Sequence, residues 1–142
     1  MSELTREEKQ ALIRAAFEAR THAVAPYSHF AVGAALRSAD GRVFTGCNIE
    51  NAALTPTSCA ERTALFSAVS QGVTRFTDIA VVGAKMGEVN TLVTSPCGVC
   101  RQALYEFCGP SLNVIMAKSE EDFIEASLGE LLPYGFGPAN IE

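Results

Sequence analysis

The sequence predicts an α/β protein, a three-layer α/β/α sandwich around a five-stranded mixed sheet. Three observations lead there. Apolar residues recur at helical spacing near the start, two β-rich runs flank Asp40-Gly41, and beyond residue 58 helical segments alternate with short apolar runs. An edge hairpin followed by strands joined through crossover helices closes into such a sandwich. The 142 residues carry no internal repeat, low-complexity stretch or linker, and fit a single domain over 1–142.

Thr5 with Glu8 three residues on reads as a capping box. Leu12, Ile13, Ala16 and Phe17 then give residues 6–20 an amphipathic helix, which Pro26 and Tyr27 leave behind. Strands are expected at Phe30–Arg37 and Arg42–Cys47, with the Asp40-Gly41 turn between them. Ser58 is placed to cap a second helix that carries Leu65, Phe66 and Val69 and stops near Gly72. Ile79–Gly83 is a continuous apolar run of the kind a fully buried strand shows, and Leu92–Thr94 continues extended structure. A third helix is expected from Gly98 to Phe107, stopped by Gly109-Pro110, then a strand over Leu112–Ala117. Ser127 and Glu130 form a second capping box for a short helical turn closed by Pro133.

Composition narrows the class of partner. Hydrophobic residues make up 48% and charged residues 19%, an ordinary globular balance with an apolar excess that suits a subunit interface. With 16 acidic against 11 basic residues the net charge is −5, which argues against a nucleic-acid polymer and for a small neutral substrate. No apolar run is long enough to span a membrane. The polar start, Met1-Ser2-Glu3-Leu4-Thr5, predicts no targeting segment. An odd count of five cysteines argues against a disulfide scaffold, so the chain reads as cytoplasmic with reduced thiols free to hold metal.

Those thiols carry the chemistry. Cys59-Ala60-Glu61-Arg62 and Pro96-Cys97-Gly98-Val99-Cys100 supply three sulfurs at zinc-ligand spacing and one carboxylate beside them. Three protein ligands on a tetrahedral Zn²⁺ leave the fourth position open for water, as in catalytic sites. Both segments fall at predicted helix starts, where partial positive charge favours thiolate over thiol. Three thiolates leave the zinc site one net negative charge, which Arg62 is placed to offset by donating to the sulfurs; Gln102 is a neutral candidate for the same task. Glu61 is close enough to move protons at the metal without ligating it. Alone it would read as a favourable acid in a first helical turn. The alternative for the thiols is a closed four-cysteine site with Cys47 as fourth ligand, which the single close pair disfavours. Cys47 and Cys108 read more simply as small buried residues, and His22 and His29 belong to no metal pattern.

With its third Cys upstream and a Glu two residues after it, the pattern is the all-cysteine signature of zinc-dependent nucleobase deaminases. Over nearly its whole length the chain resembles the small homotetrameric cytidine deaminases of pyrimidine salvage. The likeness rests on Pro26-Tyr27-Ser28-His29-Phe30 with Val32-Gly33-Ala34-Ala35, Gly46-Cys47-Asn48-Ile49-Glu50-Asn51-Ala52 and Cys59-Ala60-Glu61-Arg62-Thr63-Ala64. It resumes at Ser95-Pro96-Cys97-Gly98-Val99-Cys100-Arg101-Gln102 and closes with Glu130-Leu131-Leu132-Pro133 and Phe136-Gly137-Pro138.

The resemblance implies hydrolytic deamination of cytidine and deoxycytidine to the uridines plus ammonia. Water activated at the zinc attacks C4, and Glu61 shuttles protons. It implies that Asn48 and Glu50 bind the ribose 3′-hydroxyl and that Phe30 packs on the pyrimidine. The backbone at Ala60 and Ser95 addresses the base edge, and Phe136 reaches a neighbouring subunit's site. It also implies one Zn²⁺ per subunit and a homotetramer with sites at subunit interfaces. One departure stands out: where many family members carry a Tyr that contacts the ribose 5′ side from another subunit, this chain has Leu54 followed by Thr55. Rivals are a deaminase of modified cytosine nucleosides and a non-catalytic zinc-stabilised binding module.

Overall fold

The structure is a computed structural model that describes residues 2–142; Met1, the head of the polar start, lies outside them. The helices are α1 (Arg6–Arg20), α2 (Ala60–Ser70), α3 (Gly98–Cys108) and the single turn α4 (Leu128–Leu131). The strands are β1 (Phe30–Ser38), β2 (Val43–Cys47), β3 (Phe76–Lys85), β4 (Asn113–Ala117) and β5 (Phe123–Ser127). They form one five-stranded sheet in the order β2-β1-β3-β4-β5. Only β3 and β4 run parallel, joined by the α3 crossover; the other neighbouring pairs are antiparallel. Among the described residues no helix is long and apolar enough to cross a membrane.

Alternation along the central strands makes the three layers. Ala34, Leu36, Ile79, Val81, Val114 and Met116 face one way and pack with Ala64, Leu65 and Ala68 of α2 and Leu104 of α3. Their neighbours Ala35, Ala80, Val82, Ile115 and Ala117 face the other way, onto Leu12, Ile13 and Ala16 of α1. Both faces of the middle strands are therefore dry, and each fully buried Ile, Leu or Val contributes about 1.5–3 kcal/mol. Both expected capping boxes form: Thr5 with Glu8 at α1 and Ser127 with Glu130 at α4.

Two glycines set how closely the helices approach. A Cβ on Gly33 of β1 would sit 1.9 Å from the Ala16 carbonyl of α1. One on Gly46 of β2 would sit 2.5 Å from both the Ala60 carbonyl and the Ala64 nitrogen of α2. Bare backbone at Gly46 thus lets the first turn of α2 lie directly on the sheet.

The sheet has the expected five strands, and the fifth comes from a segment for which no strand was expected. Leu92–Thr94 pairs with nothing, because both edges of β3 are already taken by β1 and β4. The fifth strand is β5, which lies antiparallel on the free edge of β4. The second helix also starts one residue later than predicted: its N-cap is Cys59, and Ser58 directs its hydroxyl to the Cys59 carbonyl.

Candidate metal centre and binding cavity

Cys59 and Cys97 are the N-caps of α2 and α3, both in extended backbone, and neither side chain caps its helix. An N-cap side chain ordinarily accepts from the first-turn N–H groups. Here the two sulfurs face each other instead, 3.7 Å apart, and with buried Cys100 all three lie within 4.8 Å of one another. Tetrahedral zinc with Zn–S bonds near 2.3 Å requires sulfurs about 3.8 Å apart. Among the described residues no fourth Cys, His or acid joins the cluster, so a tetrahedral ion held there keeps one open position.

The electrostatics also fit a cation. Cys59 is pulled down to about 5, chiefly by the hydrogen bond from Cys100, with Arg62 and Cys97 adding to it. Cys100 is driven up, mainly by that same bond and by burial. A soft divalent ion held between the sulfurs replaces thiol protons and lets the set ionise. Arg62 donates from Nη2 to the Cys59 sulfur at 3.4 Å, while its buried Nε has no partner. The bond to Cys59 raises the guanidinium pKa further, so the positive charge beside the sulfurs is permanent.

Glu61 is 3% exposed in the first turn of α2. Burial first, and then the charge on Cys59, push its carboxyl up to about 7, against the pull of a backbone hydrogen bond and Arg62. It forms part of the wall of a cavity of about 330 Å³ at the end of the sheet where β1 begins and β3 ends. Ligands commonly bind at the carboxyl ends of strands in α/β sheets.

The other walls bring distant segments together. Cys59, Ala60, Glu61, Ser95 and Cys97 make up the sulfur end of the wall, and Phe30, Asn48 and Glu50 line the same cavity from β1 and the segment after β2. Asn48 and Glu50 face the cavity because residues 48–50 run extended between two neighbours. The Glu50 nitrogen donates to Val24, and Ile49 exchanges hydrogen bonds with Ser58. Alternation then turns Asn48 and Glu50 one way and Ile49 the other. Asn48 also accepts from the Val32 nitrogen and donates to the Phe30 carbonyl, both at 2.8 Å.

The chain's match to a family model decides the family. Residues 6–116 match the model described as the cytidine and deoxycytidylate deaminase zinc-binding region. The chain belongs to that family. As a zinc-dependent hydrolytic deaminase it carries in Cys59, Cys97 and Cys100 a cluster positioned to hold the ion. A cytidine deaminase of Sporosarcina psychrophila is 46% identical over 130 residues, 92% of each chain. The crystal structure of cytidine deaminase from Burkholderia pseudomallei superposes with a TM-score of 0.82 at 47% identity, covering 94% of this chain and all of that one. For the cytidine deaminase from Mycobacterium tuberculosis the TM-score is 0.76 at 39% identity, with 89% of this chain and 95% of that one covered.

One expected site residue of this deaminase lies elsewhere. Gln102 does not reach the sulfurs: two residues beyond Cys100 on α3 it points well round the helix, and its Nε2 donates to the Phe136 carbonyl at 2.8 Å. Phe136, expected at a neighbouring subunit's site, is 60% exposed and stands outside the wall of this chain's own cavity. Leu54, at φ +67°, stands 73% exposed on the loop after Asn51, also outside the wall. Ser28, Val32, Thr57, Ser58 and Thr94 complete the wall unforeseen. Of these, Ser28 and Val32 had a signal, their places in the Pro26–Phe30 and Val32–Ala35 segments.

Proposed function

We propose that this chain hydrolyses cytidine and deoxycytidine to uridine and deoxyuridine, releasing ammonia, with sequence 1–142 acting as one catalytic domain. The observation that carries this reading is one cavity lined both by sulfurs of the cluster with buried Glu61 and by Phe30, Asn48 and Glu50. When bound, zinc supplies a Lewis acid that acidifies water at its open position.

The chain's own residues do the rest. Glu61 takes a proton from the attacking water and passes it to the ring nitrogen beside C4. It then carries the second water proton to the amine as the C4–N bond breaks, so water enters and ammonia leaves. Arg62 keeps the sulfurs' charge compensated. Backbone groups at Ala60 and Ser95 address the base edge, Phe30 packs on the ring, and Asn48 and Glu50 take the ribose 3′-hydroxyl.

Charge and size favour a nucleoside over a nucleotide or polymer. The wall holds two carboxylates, Glu50 and Glu61, and no Lys, Arg or His, which opposes a 5′-phosphate. At about 330 Å³ the cavity is at the small end of ligand pockets. The apolar side chains left exposed, Tyr27, Ile49, Leu54 and Phe136 among them, support a homotetramer with sites at subunit interfaces, and the protein is assigned to the cytoplasm.

Purified zinc-loaded protein is expected to lower the absorbance of cytidine and release ammonia, while deoxycytidylate is a poor substrate. Protein holding about one zinc per chain that turns over no cytidine would overturn the assignment. Solution mass tests the tetramer separately.

A further inference from the structure

The sugar end of the cavity is organised around a hydroxyl to which no role has been given. The Oε1 of Glu50 accepts from the backbone nitrogens of Tyr27 at 2.9 Å and Ser28 at 3.1 Å, and its Oε2 accepts from the Ser28 hydroxyl. The same Ser28 oxygen accepts from the Phe30 nitrogen at 3.0 Å. Ser28, Phe30 and Glu50 all face the cavity. A carboxylate offers about four acceptor positions. Three are filled here, which leaves one, on Oε2, for a hydroxyl donor from outside.

We propose that Ser28 is a positioning residue for the sugar: its hydroxyl fixes the Glu50 carboxylate so that it accepts from a single sugar hydroxyl, in register with the Phe30 ring. The second half of the argument is the tie to Phe30. The backbone of Phe30 is held on both sides by polar residues of the cavity, its N–H by Ser28 and its carbonyl by Asn48. Sugar acceptor and ring-packing face are thereby joined through one oxygen atom. The hydrogen bonds to Glu50, with Ser28's hydroxyl first among them, also hold its carboxyl below the usual range, so it is an acceptor only.

This inference rests on the nucleoside reading, and the experiment separates the two. Zinc-loaded wild type and Ser28→Ala are compared on cytidine and on 3′-deoxycytidine, with zinc content read alongside. The variant is expected to raise KM for cytidine roughly tenfold, the loss of one hydrogen bond to a charged group. Its kcat and its KM for 3′-deoxycytidine stay within about twofold, and Ser28→Thr restores the cytidine KM. Equal losses on both substrates, or no loss on cytidine, overturn the proposal while leaving the activity assigned. Wild type that does not prefer cytidine over 3′-deoxycytidine overturns the Glu50 contact and the proposal with it. Wild type inert on cytidine overturns the nucleoside reading itself. If Ser28→Ala does not fold, the Ser28→Thr and Ser28→Val pair, which differ by the hydroxyl alone, read the same ratio.

Discussion

At the sulfur end of the cavity Ala60, Glu61 and Cys100 are buried, and Cys59 and Cys97 stand at the starts of helices packed on the sheet. At the sugar end Ser28 is exposed and Glu50 half-buried, and their places are fixed by side-chain hydrogen bonds to a loop backbone. One end is positioned by packing, through the bare backbone of Gly46 under α2; the other is positioned by a count of donors and acceptors. Packing holds metal-ligand geometry tightly, because a close-packed interior resists small displacements. A hydrogen-bonded loop holds a weaker acceptor that adjusts to its ligand. Changes at the sulfur end should therefore be read in rate and metal affinity, and changes at the sugar end in KM.

The largest effect that sharpens this contrast is at Glu61. Glu61→Gln keeps the shape of a buried side chain and removes the proton carrier. It is expected to retain zinc and to lose roughly 10³-fold or more in kcat, in line with the upper range of general acid–base catalysis. Zinc analysis and steady-state kinetics on one preparation check it. Retained kcat would move the proton carrier to another group. Next is Arg62, which touches the sulfurs and is absent from the cavity wall. Arg62→Met is expected to weaken zinc about 10–100-fold, as losing a partner of a metal ligand does. Competition with a chelator measures this, and at saturating zinc KM for cytidine should hold. A raised KM with unchanged zinc affinity would break the separation of the two ends.

How far each end can be read from sequence follows from the same contrast. The metal triad is legible because ligand type and helix-start position are local properties: Cys59 and Cys97 each stand one residue before a helix. Even so, the sequence points to Ser58 as the cap of α2, since hydroxyls usually cap and a thiol committed to a neighbouring sulfur has no propensity signal. Gln102 was misplaced by proximity in sequence, where helix rotation carries it away from Cys100. Both buried faces of β1, β3 and β4 are visible as apolar runs. β5 is not, because an edge strand keeps only partial burial and its Glu125 pairs with Lys9 rather than with core. Leu92–Thr94 carries strand-like residues but has no free strand to join, so Leu92 is exposed. Ser28 has no signal beyond its motif, because its role depends on Glu50, 22 residues away, meeting it in space.

The smallest expected effect concerns the remaining way to close the metal site, a fourth sulfur from Cys47. Sheet geometry decides it. Cys47 follows Gly46, and neighbouring strand residues point to opposite faces. The Cβ direction of Gly46 runs into Ala60 and Ala64 of α2, so the Cys47 side chain points away from α2. The register agrees: Cys47 lies opposite Gly33, whose Cβ direction runs into Ala16 and Arg20 of α1, and directly paired residues share a face. Cys59 and Cys100 lie on α2's side of the sheet, so Cys47 is separated from them by the sheet itself. Burial alone raises its thiol pKa, as expected for a packed sulfur without a charged partner. Cys47→Ser is accordingly expected to cost less than about 1 kcal/mol in stability, with the zinc content per chain and kcat the same as wild type. Thermal melts and metal analysis of the purified variant test this. Loss of zinc there would mean a four-cysteine site, with no open position and no place for water to react.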